Sequence, residues 1–366
     1  MASYWMNACF LAAALTLVAG SAAAQEPLKV KPGKVWKHQH SGISVPATLA
    51  GNARTSATSF AADDLDVGLQ FDTPGSAEAV SVYIYRNTNG AVPVWFAQAQ
   101  WAIENRAIYG NPNIVGAPSA FTPPGQTTAS GLSAIYAANG RSQYKSTGVM
   151  LLPIGNWYVK IRASSQTRSP ADLARWMDAA LAEIEWPRNI APAEAASPAV
   201  PCAKPLQFQG KAADASGSDL TAEALGVALM SAAAGDDSIK KEPATTSMGQ
   251  WCRDRQLDGN IAVYRPGGSE TSYLLAYGDN GNGIWVGPSP MKVAMDEIAS
   301  KNGTKASLRY NVTLHTATQD INFLMQDRLP SPERVIEILN ANNRASTVGT
   351  WGKNRQVQIN SGEKLK

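Results

Sequence analysis

The sequence has few of the residues that most often carry enzyme chemistry. Its 366 residues include three cysteines and three histidines, and charged residues make up 17%. No run of five like charges occurs, and 32 Lys and Arg against 29 Asp and Glu give a formal net charge of +3. A nucleic-acid partner requires clustered cations, so we expect none here.

Long apolar runs are also missing beyond the N-terminus, where no stretch approaches the length of a membrane-spanning helix. Residues 10–20 form an apolar core of signal-peptide length, followed by Ala22 and Ala24 at the small-residue positions of an A-x-A cleavage site. No Lys or Arg precedes this core, and a short buried helix is the alternative interpretation. The pattern predicts a signal peptide over residues 1–24 and a periplasmic or secreted protein.

Removal of the leader would remove Cys9 and leave two cysteines, Cys202 and Cys252. An even pair in an exported protein predicts a disulfide, with two free buried thiols as the alternative. A bond that closes a loop of about 50 residues stabilises by about 4 kcal/mol in the chain-entropy model. Two cysteines alone do not make a zinc site.

The composition, 44% hydrophobic, is sufficient for a sizeable core. A Pro- and Ala-rich stretch without a hydrophobic period follows residue 187 and is typical of a linker. We therefore expect two tandem α+β domains, each a mainly antiparallel sheet covered by amphipathic helices. The predicted division is an N-terminal extension over 25–37, a first domain over 38–187, a linker over 188–205, a second domain over 206–342 and a polar, loosely ordered tail over 343–366.

The first half is rich in strand and turn signals. We predict strands over residues 65–71, 80–86, 132–138, 144–152 and 157–163, and a helix over 93–109. A further helix begins after Ser169, an N-cap followed by Pro170, with Asp172 three residues beyond the cap. Its apolar stripe is predicted to pack on the apolar face of the preceding strand; it consists of Leu173, Trp176, Met177, Ala180, Leu181 and Ile184.

The second half repeats this style. Strands are predicted over residues 260–265, 271–277, 284–287, 308–316 and 321–326, with one helix from Ser289-Pro290 to Gly303 and a last helix from Ser331-Pro332. Both halves thus end with a strand, a loop and a Ser-Pro helix start. A duplicated fold and an independent origin of the two halves both fit this pattern.

Three segments of the first half, "HSGISVPATLAG", "VSVYIYR" and "WYVKIRASS" followed by a helix, resemble in their order a group of exported proteobacterial proteins with a PsbP-like α/β/α sandwich. The resemblance covers about residues 38–187. It implies a binding or assembly role without catalysis, and no functional residue is carried over because no specific motif matches.

No catalytic, cofactor or metal site is predicted from motifs. G-x-S-x-G is absent, and no Gly-Lys-Ser/Thr phosphate loop occurs. His38 and His40 lack evident further metal ligands, although Asp63, Asp64 and Asp66 follow, and we expect a solvated N-terminal segment there. The Gly- and Asn-rich stretch at residues 278–283 is expected to be a hairpin turn.

One sheet face is a candidate binding surface. Alternation places Tyr158, Lys160 and Arg162 on one side of their strand, and Tyr83 and Tyr85 join them if the two strands share a sheet. Such a face is suited to an anionic glycan, a lipid headgroup or a protein partner. The alternative is ordinary core or a half-polar sheet face.

We therefore predict a non-catalytic binding or accessory module of the cell envelope, with an unidentified envelope protein or glycan as its partner. An envelope hydrolase with a dispersed active site is the first alternative, and would bring His38, His40 or His315 to a serine and a carboxylate in a cleft. A glycan-binding module is the second, and predicts two or more exposed tryptophans along one groove.

Overall fold

The computed structural model describes residues 25–140, 142–215, 226, 250–290, 308–353 and 355–360. Each half of the chain forms its own sheet, and helices pack on both sheets. The three α-helices defined in these residues are α1 (Val92–Glu104), α2 (Pro170–Glu183) and α3 (Pro332–Ala341). The layers follow the order α2, first sheet, α1, second sheet, α3. The expected α+β class with mainly antiparallel sheets is confirmed.

The first half contributes the first sheet and a small two-stranded ribbon. Its strands are β1 (Glu26–Pro27), β2 (Trp36–Lys37), β3 (Ser44–Val45), β4 (Thr48–Leu49), β5 (Asn52–Ser59), β6 (Asp66–Asp72), β7 (Glu78–Arg86), β8 (Asn113–Ile114), β9 (Ser119–Phe121), β10 (Gly131–Ala137), β11 (Ser146–Ile154) and β12 (Trp157–Ser165). The sheet order is β1-β5-β6-β7-β12-β11-β10-β8, with β4 on β5, β9 on β10, and β2 paired with β3 separately. All these pairs are antiparallel.

The second half forms a sheet whose strands follow one another in chain order. They are β13 (Val200–Pro201), β14 (Trp251–Gln256), β15 (Ile261–Pro266), β16 (Tyr273–Tyr277), β17 (Gly283–Pro288), β18 (Tyr310–His315), β19 (Gln319–Phe323), β20 (Arg344–Gly349) and β21 (Val357–Ile359). Every neighbouring pair in this sheet is antiparallel except β13 with β14, and α3 lies between β19 and β20 in the chain.

Helix α2 begins and packs as predicted. The Ser169 side chain accepts a hydrogen bond from the Asp172 backbone N–H at 3.2 Å, and Pro170 occupies the first turn. Its apolar stripe lies in one buried cluster with Val159 and Ile161 of β12. The amphipathic face therefore fixes the helix against the sheet.

Replacing this cap gives a modest expected loss. Ser169→Ala leaves an orphan N–H at the start of α2 and should lower the free energy of unfolding by about 1 kcal/mol. Urea denaturation measures the effect, with Ser331→Ala, which removes the matching cap of α3, expected to cost a similar amount. Unchanged stability in Ser169→Ala would show that the cap contributes nothing.

Helix α1 is covered on opposite sides. It contacts β10 and β11 of the first sheet and β15 and β16 of the second. Val94, Trp95, Phe96, Ala99 and Ile103 are all essentially without exposure. A helix buried on more than one face shows no clean amphipathic period, which explains the irregular apolar pattern of its sequence.

The chain termini depart from the expected division. The segment expected to be a loose polar tail supplies β20 and β21, so the expectation for residues 343–366 is corrected. Ser346 of β20 is buried, and its hydroxyl accepts a hydrogen bond from Asn322 of β19 at 3.0 Å. A polar side chain of this strand is therefore hydrogen-bonded inside the sheet. The expected N-terminal extension pairs through β1 with β5, and part of the expected linker pairs through β13 with β14.

The predicted signal peptide and most of the helix expected over residues 289–303 lie outside the described residues.

The predicted disulfide is confirmed. Cys202 follows β13 and bonds to Cys252 of β14, with the Cα atoms 4.9 Å apart. The bond ties the segment that leaves the first half to the first long strand of the second sheet. In the part of the chain that the structure describes, no helix is both long and apolar enough to cross a membrane.

Candidate functional site

The hairpin loop between β16 and β17, residues 278–282, docks on the first half of the chain. Thr88 Oγ1 and Asn89 Nδ2 donate to the Gly281 carbonyl at 2.9 and 3.1 Å. Gly281 has φ +87°, and an added Cβ would lie 3.2 Å from both the Arg86 carbonyl and the Tyr85 ring. Glycine is required at this position because the two backbones approach closely in a left-handed conformation.

Asp279 in this loop ion-pairs with two cations of β12. Lys160 Nζ lies 2.8 Å from the Asp279 carboxylate and also donates to its backbone carbonyl at 2.8 Å. Arg162 Nη2 donates to the same carboxylate oxygen at 2.5 Å. Lys160 is 3% exposed, so its ammonium is held by the protein in place of water.

The sequence-predicted face exists, and the second half of the chain covers it. Tyr85 lies opposite Tyr158, and Tyr83 lies opposite Lys160, in the β7–β12 ladder. Lys160 Nζ sits 4.9 and 5.5 Å from the ring centroids of Tyr83 and Tyr85. All five predicted residues, Arg162 included, are therefore together. The anion that meets them is the chain's own Asp279.

Burial shifts the titration of the charged groups around this contact. Burial raises the pKa of Asp66 to about 7, against the opposing attraction of Lys160. Burial lowers the pKa of Lys160 to about 8, although Asp279 favours its charged form. Burial alone would raise the pKa of Asp279, but Lys160 and Arg162 outweigh it and lower that pKa to about 2. Asp279 is thus the permanent anion and Asp66 the group that titrates near neutral pH.

Two adjoining spaces lie beside this contact. The first, which we call the narrow cavity, has a volume of about 400 Å³. Its lining consists of Phe60, Asp66, Tyr83, Tyr85, Lys160, Arg162, Tyr277, Gly278, Asp279, Asn280 and Asn282. The second, which we call the wide cleft, has a volume of about 1440 Å³ and shares with the narrow cavity the residues Phe60, Asp66, Tyr277, Asn280 and Asn282.

Both halves of the chain line the wide cleft. Trp36 and Ser59 stand on the side of the first half, and Thr318, Gln319 and Thr347 on the side of the second. Hydroxyl and amide groups outnumber fully charged ones on the second side, and an aromatic ring stands opposite them. Clefts where two structural units meet are common ligand sites.

Two buried donors at the narrow cavity have no acceptor among the described residues. These are the Tyr85 hydroxyl and the Arg162 Nε–H. Tyr85 is 1% exposed, so its hydroxyl is shielded from bulk water. Buried polar groups in folded proteins almost always have partners, which makes these two atoms unusual.

Gln98 of α1 joins the two halves at a second point. Its amide nitrogen donates to the carbonyls of Asn260 and Gly278 at 3.1 and 2.9 Å, and its oxygen accepts from the Tyr264 hydroxyl at 3.1 Å. The residue is fully buried. It holds the base of the 278–282 loop to the helix between the sheets.

Substitution of Gln98 should be costly because its partners are buried with it. Gln98→Met keeps the side-chain volume but removes the hydrogen bonds that Gln98 makes to the Tyr264 hydroxyl and the Gly278 carbonyl. We expect the free energy of unfolding to fall by about 1–3 kcal/mol because these buried groups lose a partner. Gln100→Met is the matched control on the same helix. Gln100 is half-buried, and we expect a smaller loss there. Equal losses in the two variants would contradict the role assigned to Gln98.

Among the residues that the structure describes, none of the three histidines forms a serine-histidine-carboxylate site. His38 Nδ1 lies 2.7 Å from Ser41 Oγ, but the ring is fully buried and its Nε2 donates to the Asp64 carbonyl at 3.0 Å. This pair holds a turn, and burial lowers the pKa of His38. The expectation of a solvated segment at His38 is therefore wrong. His315 pairs with Asp320 at 2.7 Å across β18 and β19, and no serine is hydrogen-bonded to it within the described residues.

An aromatic cluster joins the two halves near His40. The His40 ring contacts the Trp351 ring edge-on at a centroid distance of 4.8 Å and lies parallel to the Trp157 ring at a centroid distance of 6.1 Å. Arg86 covers Trp351 and donates to the Ala317 carbonyl at 2.9 Å. The tryptophans of the described residues are buried or half-buried, and Trp36 alone among them lines the wide cleft. Two tryptophans along one groove, as a glycan platform would need, are thus not seen in this part of the chain.

The sequence pattern does not reveal two residues of this candidate site. Asp279 lies in a stretch predicted to be a hairpin turn, and Asp66 follows His38 and His40 without forming an evident metal site. Asp279 lies 119 residues from its partner Lys160, so no local spacing links them. One signal in the sequence could have pointed to Asp279. It is the only carboxylate in a Gly- and Asn-rich hairpin, and a turn of this kind does not need a carboxylate to form.

Comparison with known proteins gives little further information. No family model and no curated protein matches the chain. A solved structure from Bacteroides thetaiotaomicron is similar at 11% sequence identity and a TM-score of 0.20, over 75% of this chain and 95% of that chain. A similarity of this size carries no argument about fold or function.

Proposed function

We propose that the protein is an exported, non-catalytic binding protein of the cell envelope whose ligand occupies the wide cleft. The observation that carries this proposal is the cleft itself, about 1440 Å³ in volume and lined by residues from both halves. This volume lies above the range of about 300–1,000 Å³ that is common for pockets of small molecules, so the cleft suits a larger ligand of several rings or a short oligomer.

Two features support export. The predicted signal peptide supports a location outside the cytoplasm, and the Cys202–Cys252 disulfide persists best in an oxidising compartment. Within this proposal the chain consists of two sheet-forming halves that act together, and the PsbP-like resemblance of residues 38–187 agrees with an accessory role. Fold-level similarity by itself would be a weak warrant.

A glycan is the ligand class favoured by the cleft walls. Thr316, Thr318, Gln319, Thr347 and Gln358 present uncharged hydroxyl and amide groups. These groups donate and accept hydrogen bonds without requiring a charged partner. Trp36 supplies one aromatic surface against which a sugar ring can stack. The hydrolase alternative has no comparable support, since His38 is buried away from the cleft.

The proposal is tested by blocking the cleft. Purified protein is dialysed against fractionated oligosaccharides and small molecules from envelope extracts, and retained compounds are identified by mass spectrometry. Thr318→Trp places a bulky side chain in the wide cleft and should strongly reduce retention, whereas Thr127→Trp, on an exposed loop, should not. Retention that is equal in both variants, or absent from the wild type, would overturn the proposal.

A further inference from the structure

We propose that the narrow cavity binds a carboxylate group, carried by the ligand that enters through the wide cleft. This inference rests on the proposed function and names a chemical class for the narrow end of the same site. The two spaces share five lining residues, Asp66 and Asn280 among them, so the narrow cavity adjoins the wide cleft at these residues.

The first argument is the chemistry of the unpartnered atoms. The Tyr85 hydroxyl and the Arg162 Nε–H are both donors on residues that line the cavity, and neither has an acceptor in the described residues. A ligand that satisfies them must supply acceptors. A carboxylate has two acceptor oxygens and forms stronger hydrogen bonds than a neutral carbonyl because it is charged.

The second argument is the balance of charge. Lys160 and Arg162 face one permanent anion, Asp279, through contacts of 2.8 and 2.5 Å. One positive charge is left, and Asp66 or a bound anion can balance it. Because burial raises the pKa of Asp66 to about 7, its carboxyl becomes neutral at modest cost when an anion arrives. The cavity is therefore suited to a single negative charge and less suited to a dianion.

The groups that face Asp66 come from three elements. Lys160 lies on β12, Asp279 and Asn280 lie on the 278–282 loop, and Asn280 Nδ2 donates to Asp66 Oδ2 at 3.2 Å. Tyr85 lies on β7 and is itself influenced by the charge of Asp66. Two cations and two acids thus meet here, and anion binding should be coupled to protonation of Asp66.

The third argument is the apolar part of the lining. Phe60, Tyr83 and Tyr277 present rings to the same space. At about 400 Å³ the cavity is larger than a carboxylate alone. A carboxylate attached to a small ring or chain matches both the polar and the aromatic walls.

The test is an NMR titration of the ¹⁵N-labelled protein with sodium acetate, sodium glucuronate and, as neutral isostere, acetamide. Acetate and glucuronate should shift the amide resonances of residues 278–282 saturably, and acetamide should bind at least tenfold more weakly. Comparable affinities for the two acids would indicate a free small acid as the natural ligand. Tighter binding of glucuronate that is lost in Thr318→Trp would indicate an acidic sugar. Absence of saturable shifts with both acids, or equal binding of acetamide, would overturn the inference.

Two variants separate binding from folding. Tyr85→Phe removes an unpartnered hydroxyl, so the fold should be kept while acetate affinity falls about tenfold. Tyr109→Phe, whose hydroxyl contacts Ser164 away from the cavity, should leave affinity unchanged. Asp66→Asn mimics the protonated carboxyl and should bind acetate about tenfold more tightly than the wild type at pH 8. Its affinity should change less between pH 6 and pH 8 than that of the wild type, because only the titration of Lys160 remains. A wild-type affinity that does not rise from pH 8 to pH 6 would contradict the coupling to Asp66.

The outcome is distinguishable from failure of the proposed function. If dialysis shows a ligand retained in the wide cleft while acetate and glucuronate fail to bind, the carboxylate assignment falls and the binding function stands. If neither experiment detects binding, both fall.

Discussion

Asp279→Asn is expected to lower the free energy of unfolding by about 3–5 kcal/mol, the range observed when one partner of a buried ion pair is removed. The substitution keeps the shape of the side chain and removes its charge. Lys160 is then left buried at 3% exposure beside Arg162 with no permanent anion in contact. The 278–282 loop should lose its principal attachment to the first sheet.

The same pair gives an expected dependence on pH. The folded-state pKa of Asp279 is about 2, below the ordinary value of 3.8, because the attraction of Lys160 and Arg162 outweighs burial. A depressed pKa stabilises the fold above the ordinary value, and this contribution is lost as pH falls through about 2. Wild-type stability should therefore decline between pH 4 and pH 2, and Asp279→Asn should show a smaller decline.

Urea denaturation at pH 7 measures the loss of stability, and urea denaturation at pH 4 and pH 2 measures the decline. Asp258→Asn, in the exposed turn between β14 and β15, is the matched control and should change stability little at each of these pH values. A loss below about 1 kcal/mol in Asp279→Asn would place the Lys160 contact among weak surface ion pairs and contradict its assigned role.

Removal of the disulfide is expected to cost about 4 kcal/mol, the chain-entropy value for a loop of 50 residues. The double variant Cys202→Ser, Cys252→Ser frees the segment before β14 in the unfolded chain and releases β13 from its covalent tie. Arg265 Nε, which donates to Cys202 Sγ at 3.3 Å, keeps a serine oxygen as its acceptor.

Chemical reduction of the wild type is the matched measurement for the disulfide. Reduced wild type and the double serine variant should unfold at the same urea concentration, and both below the oxidised protein. If the urea midpoint is unchanged after complete reduction, the disulfide does not stabilise the fold by restricting the conformations of the unfolded chain.

Local patterns predicted the elements of this fold well because their causes are local. The alternation of β7 places Val80, Val82 and Ile84 in the cluster with α2, and its tyrosines on the opposite face, as its sequence indicates. The cap at Ser169 needs contacts within one turn of helix. Such features are set by neighbours in the chain and leave a readable period.

Long-range contacts explain what the sequence did not reveal. The covering of the Tyr/Lys/Arg face depends on a loop more than 100 residues away, which no spacing records. The C-terminal strands were missed because Ser346 is polar, and its burial is compensated by Asn322 on the neighbouring strand. His38 was expected in water for a similar reason, since its partners Ser41 and the Asp64 carbonyl become visible only in the fold.

The central claim is that the two halves of the chain form one unit, locked by the 278–282 loop, and so enclose a preformed cleft. Differential scanning calorimetry at pH 7 tests it most directly. We expect a single transition whose calorimetric and van't Hoff enthalpies agree, and its separation into two transitions in Asp279→Asn. Two transitions in the wild type, or an Asp279→Asn profile that stays single and unshifted, would contradict the account.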